Sequence, residues 1–206
     1  MGFGFRSLCF ARRYHSANII IALAAAVFLA GCAFTTGHVD LSYQPSTDVT
    51  KVAGAESPPV AVQIIDKRPT KTVGQKINWF GMKTADIVAD TDVPQTIKDA
   101  FETELTNRGF TDGPNGNQVV VTLDNLQNSF TVGFFSGEAT STAGMDVAVK
   151  NAKGANVFDK YFTGQSKDWI ELATPENAQK MLNGALKDAI GKVFADQDFL
   201  DALKKP

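Results

Sequence analysis

Thr174-Pro175-Glu176-Asn177-Ala178-Gln179-Lys180-Met181-Leu182-Asn183-Gly184-Ala185-Leu186-Lys187-Asp188-Ala189-Ile190-Gly191-Lys192-Val193-Phe194 is the stretch on which the fold turns. Ala178, Met181, Leu182, Ala185, Leu186, Ala189, Ile190, Val193 and Phe194 recur at spacings of three and four, one continuous apolar stripe along a helix. Thr174 suits the N-cap and Pro175 the first helical position. A stripe this wide predicts a helix lying on a sheet face, with Met181 and Phe194 in the core. Phe199, Leu200 and Leu203 predict a short terminal turn beside it.

Working outward, residues 119–123, 131–135, 144–150 and 157–164 are enriched in β-branched and aromatic side chains or alternate in polarity, and predict strands. Asn151-Ala152-Lys153-Gly154 reads as a hairpin loop. Upstream, Val93, Ile97, Ala100, Phe101 and Leu105 predict a first helix, capped by Asp92 or Thr91. It stops at Arg108-Gly109, where glycine takes the left-handed conformation and Phe110 folds back on the last turn. Residues 60–65 are almost wholly apolar and predict a strand central in its sheet. Residues 76–80 and 86–89 predict two short strands around Gly81. Val39, Leu41 and Tyr43 alternate like a half-buried strand, and 45–59 read as linker. Strands grouped between helices predict an α+β fold: a mainly antiparallel sheet with two main helices packed on one face.

The N-terminus has its own logic. Arg6, Arg12, Arg13 and His15 precede an apolar run over 19–29, with no acidic residue before it. Positive first and apolar second is the layout of a secretory signal. The run is about eleven residues, against roughly 20 for a membrane-spanning helix. Leu29-Ala30-Gly31-Cys32 resembles the lipobox of bacterial lipoproteins at all four positions. That resemblance implies lipidation of Cys32, cleavage before it, and acylation of the freed amine, with residues 1–31 as signal peptide. Alanine at position 33 implies export to the outer membrane by the sorting rule of enteric lipoproteins. Residues 32–58 then read as a lipidated N-terminus and tether, and 59–206 as one periplasmic domain.

Several function classes fall away. Without the signal the chain has 17 basic against 22 acidic side chains, a net charge of −5, a poor match to nucleic acid. Cys9 leaves with the signal and Cys32 carries lipid, so the domain has no thiol for a disulfide or a nucleophile. His38 is the sole remaining histidine. Zinc sites of Cys and His, Cys-His pairs and Ser-His-Asp triads are therefore excluded. No metal or other cofactor is expected. Asp86, Asp90 and Asp92 depart from the calcium-loop spacing.

The lipobox, residues 60–68 ending in Asp66-Lys67-Arg68, the helix ending Arg108-Gly109-Phe110, the Gly113-Pro114-Asn115-Gly116 turn and the late helix before Asp196-Gln197-Asp198 occur in one order. In that order the chain resembles the YajG-like family of uncharacterised bacterial lipoproteins. The resemblance covers most of 32–203 and brings no catalytic residues with it.

Two groups of residues stand out as candidate sites. Asp66 and Arg68 are two apart at a strand end, so they share a face and form a candidate structural ion pair. Trp79-Phe80 and Phe134-Phe135 lie beside glycines and are candidate partner contacts, with Trp169 just before the second helix. The expected function is a non-enzymatic, lipid-anchored envelope domain that binds or scaffolds a protein or cell-wall partner, besides the membrane held through Cys32. A carboxylate-dependent hydrolase of an envelope polymer is the alternative.

Overall fold

Alternating polarity over residues 117–170 builds three long strands, and the rest of the protein is arranged around them. The structure, a computed structural model, describes residues 34–133 and 136–205. The signal segment, Cys32 and the Phe134-Phe135 pair lie outside the described residues. The chain divides into two compact units, Met1–Thr35 and Thr36–Pro206, and the second contains all elements named here. In chain order these are β1 (Gly37–Val39), β2 (Val60–Asp66), β3 (Thr72–Ile77), β4 (Lys83–Ala89), α1 (Val93–Asn107), β5 (Asn117–Val132), β6 (Gly137–Lys150), β7 (Asn156–Ile170), α2 (Pro175–Ala195) and α3 (Gln197–Ala202). The fold is α+β.

β5, β6 and β7 form an antiparallel meander, and β2 joins the first half of β5 in parallel, giving the order β2-β5-β6-β7. A second sheet, β1-β4-β3, lies beside the far half of β5, where Gly74 of β3 meets Asn128. The residues read as two short strands around Gly81 are the β3–β4 hairpin, and Trp79-Phe80 fall in its turn.

Both main helices cover one face of the large sheet. Val121, Leu123, Met145, Val147 and Phe162 are buried there against Leu182, Leu186 and Ile190 of α2 and Ile97 and Phe101 of α1. Aromatic rings join the helix ends: Phe101 to Phe194 at 5.4 Å, and Phe194 to Phe199 at 5.5 Å and 90°. The caps are Asp92 and Thr174, whose side chains accept from Gln95 and Asn177 N–H. Gly109, at φ 94°, turns the chain after α1, and Phe110 N–H donates back to the Leu105 carbonyl. The other sheet face carries exposed Gln63, Asn125, Gln127 and Tyr161.

Two expectations are corrected. β2 is an edge strand, not a central one: Val60 and Val62 are buried while Gln63 and Ile65 are exposed. Its apolar run reflects α1 on one side and a tolerant open face on the other. The stretch read as a tether is built into the domain from Gly37 onward. Only Gly37–Val39 is strand, but Leu41 and Ala55 are buried, and Val52 N–H donates to the Arg108 carbonyl at 2.9 Å.

A buried carboxylate fixes that stretch. Glu104 of α1 accepts from the Tyr43 hydroxyl at 2.7 Å and Ser46 N–H at 2.9 Å, and pairs with Arg108. The Arg108 guanidinium also lies 4.6 Å from the Phe194 ring centre. Burial pushes the Glu104 carboxyl up, but the hydrogen bonds from Tyr43, Ser46 and Arg108 outweigh it and hold it below the ordinary value. Burial and the same carboxylate push the Tyr43 hydroxyl well up.

Two outcomes follow from this packing. A Cβ at Gly164 of β7 would lie 2.1 Å from the Ala185 carbonyl oxygen, so Gly164→Ala should cost about 1–3 kcal/mol and lower the melting temperature by roughly 3–10 °C. Ionised Glu104 is favoured in the fold, so its contribution is present above the ordinary carboxylate pKa and lost as pH falls through its lower folded value. Glu104→Gln should cost on the order of 3 kcal/mol at pH 7 by stranding Arg108, and flatten the acid limb of a stability profile measured by denaturant titration.

Candidate functional site

The outer face of the large sheet has no helical cover, and at one end of the domain apolar side chains meet water. The β3–β4 turn is closed by Asn78: its N–H donates to the Met82 carbonyl, and its side-chain oxygen accepts from Phe80 and Met82 N–H at 3.0 Å each. Gly81, at φ 76°, completes the turn. With the backbone so closed, Trp79, Phe80 and Met82 project outward, and Phe80 is 81% exposed. The turn rests on the end of β5, where a Cβ at Gly81 would sit 3.6 Å from Val132.

Trp169 lies two strands away. Thr131 pairs with Glu138 and Glu138 with Trp169, placing it about 10 Å across the sheet. Its neighbour Ile170 is buried under α2, so Trp169 points to the outer face and is 72% exposed. Leu172, exposed in the connection to α2, adds a fifth apolar side chain. Trp169 and Leu172 line a shallow cleft of about 330 Å³ with Asn177 and Lys180. The Lys167–Glu138 and Lys180–Asp168 pairs, each at 2.7 Å, flank the tryptophan. Met82 and Leu172 escaped the sequence reading; the available signal was an apolar residue beside a turn, outside any alternation.

The Asp66–Arg68 pair occupies a different place. Arg68 Nε and Nη2 donate to the two Asp66 oxygens at 2.9 and 2.8 Å, and Arg68 N–H caps the same carboxylate at 3.1 Å. These bonds, the guanidinium's above all, hold the Asp66 carboxyl below its ordinary range. The Arg68 side chain is 6% exposed, and its Nη1 has no hydrogen-bond partner among the described residues. The pair borders a cleft of about 340 Å³ between the end of β4 and the start of α1, with Lys71, Asp90 and Asp92. It organises the chain between β2 and β3. Among the described residues no cluster of His, Cys, Asp and Glu is arranged to hold a metal ion, and no helix is long and apolar enough to cross a membrane.

Residues 45–204 match a family model described as "Uncharacterized lipoprotein". The chain belongs to that family. Membership places this lipoprotein in the cell envelope, anchored to a membrane, and agrees with its resemblance to the YajG-like lipoproteins. No curated protein matches the chain. Its backbone is similar to those of several solved structures. A Xanthomonas campestris protein of family DUF330 gives a TM-score of 0.49 at 9% identity over 78% of this chain and 95% of that one. A minor lipoprotein of Acinetobacter baumannii gives 0.45 at 11% identity over 72% and 95%. A protein of Helicobacter pylori described as a "putative neuraminyllactose-binding hemagglutinin homolog" gives 0.45 at 7% identity over 79% and 97%.

The lipoprotein carries one further acidic group of note, on the outer sheet face. Burial pushes the Asp146 carboxyl of β6 up, and the charges of Asp159 and Asp124 add to it. A carboxyl raised in the fold costs stability once pH exceeds its unfolded value, about 3.9 for aspartate. Asp146→Asn should therefore melt higher than the parent at pH 7, with the difference closing toward pH 3 in paired thermal scans.

Proposed function

We propose that this is a non-catalytic, lipid-anchored lipoprotein, facing the periplasm from the outer membrane, which contacts an envelope component through its aromatic end. One observation supports the reading: Trp79, Phe80, Met82, Trp169 and Leu172 are all exposed at the same end of the domain. Exposed apolar clusters of this kind mark contact sites. A hydrolase would need two carboxylates across a cleft, one of them raised. Asp146, the raised carboxyl described above, sits on the outer sheet face, and Asp66 in the cleft is held down by Arg68.

Phe80→Ser and Trp169→Ser test the reading. Both positions are exposed, so each variant should melt within about 2 °C of the parent, as surface substitutions usually do. In intact cells, crosslinking of the variants should yield markedly fewer adducts with envelope components. Adducts at the parental level would sink the assignment of this end as the contact surface.

A further inference from the structure

We propose that the aromatic end docks onto the bilayer that holds the acylated Cys32, its tryptophans seated at the headgroup level. The inference rests on the lipid-anchored reading above and names what the aromatic end touches. Its basis is where the chain enters the domain. Gly37 opens β1, and a Cβ there would lie 2.8 Å from Pro175 Cγ and 3.4 Å from Lys76 Cδ. Pro175 follows Leu172 by three residues at the start of α2, and Lys76 precedes Trp79 by three on β3. The entry point and the exposed aromatics therefore share one end of the domain.

Chain length does the rest. Five peptide steps separate Cys32 from Gly37, at most about 18 Å when fully extended. A cysteine whose acyl chains lie in the bilayer thus keeps Gly37 close to the headgroups. The end that carries Gly37 is then the end that meets the membrane, and it is the end where apolar side chains stand exposed. The residue types fit the place. Tryptophan favours the membrane–water interface, where its ring is buried and its N–H stays wet, and Phe80 and Met82 suit the acyl boundary. Glu138 and Asp168 beside Trp169 are paired with Lys167 and Lys180.

Trp79 and Trp169 are the two tryptophans of the whole chain, so fluorescence reads this surface directly. The mature lipidated protein would be reconstituted in vesicles of phosphatidylethanolamine and phosphatidylglycerol, with and without brominated acyl chains, as Trp79→Phe and Trp169→Phe. Each remaining tryptophan should emit to the blue, be quenched by the brominated lipid, and be several-fold less sensitive to iodide in the buffer than free tryptophan. Water-like emission with full iodide quenching from either one overturns the inference. A photoreactive residue replacing Phe80 in intact cells separates the two readings. Lipid adducts support docking. Protein or polymer adducts without lipid overturn docking and leave the contact reading standing. No adduct of any kind sinks both.

Discussion

The structure depends on how closely α2 approaches β7. At Gly164 the helix backbone comes so near that a single methyl group would fall 2.1 Å from the Ala185 carbonyl oxygen and 2.3 Å from the Ala189 amide nitrogen. Ala178, Ala185 and Ala189 are wholly buried in the same seam, so small residues on the helix meet a residue without a side chain on the strand. That contact sets the depth at which α2 lies. Leu182, Leu186 and Ile190 then reach across β5 and β6, and Phe194 is delivered to Phe101 and Phe199. Packed interiors leave no slack for a different spacing.

The second constraint is polar and acts at a distance in sequence. Glu104 collects Tyr43, Ser46 and Arg108 at one buried carboxylate, tying residues 43–46 to α1. Asn117 does the same for the C-terminus, donating to the carbonyls of Leu203 and Lys205 while accepting from Ala152 N–H. Burying a polar group costs free energy unless it is partnered. Each partner supplied from far along the chain therefore pins the segment that supplies it. Such pinning, with β1 in its sheet, gives the N-terminal stretch a defined route over the domain.

The helices and their caps were legible in the sequence because a 3.6-residue stripe and a capping residue are local signals. Strand lengths were not. β5 runs unbroken from Asn117 to Val132, yet its middle, Asp124 to Phe130, reads as polar. A register shift between Leu123 and Asn125 moves the buried positions from odd to even numbers, so alternation appears to stop where it only changes phase. On β7 the outward residues after Gly164 have no layer above them, and hydrophobicity fades although pairing continues to Ile170. The apolar run of β2 suggested burial on both sides, but only Val60 and Val62 are enclosed. Glu104 and Tyr43, 61 residues apart, left one local trace: an acid and Arg108 at helical spacing on a buried stripe. At the candidate site, tryptophan and phenylalanine beside Gly81 were visible. Their exposure was not, since it depends on Asn78 closing the turn outward and on where β5 ends.

The same strand lengths explain why apolar side chains can stand in water here without disturbing the fold. The main core ends near Leu126 and Ala143, and beyond it Ala139, Ile170 and Met181 form a small separate cluster. That cluster fills the inner face under the start of α2, at the end where β7 stops. At the far end, a side chain directed outward has no layer to cover it, whatever its polarity. Ser129, Thr131, Gln165 and Lys167 occupy such positions as soluble proteins usually do. Trp79, Phe80 and Trp169 do not, and they are large, so leaving them exposed forgoes burial worth about 1.5–3 kcal/mol each for an apolar side chain of this kind. The fold already buries Phe101, Phe194 and Phe199 around α1, α2 and α3 without drawing on these three. Their exposure falls at the end where the chain enters, the end that the proposed docking would place against the bilayer.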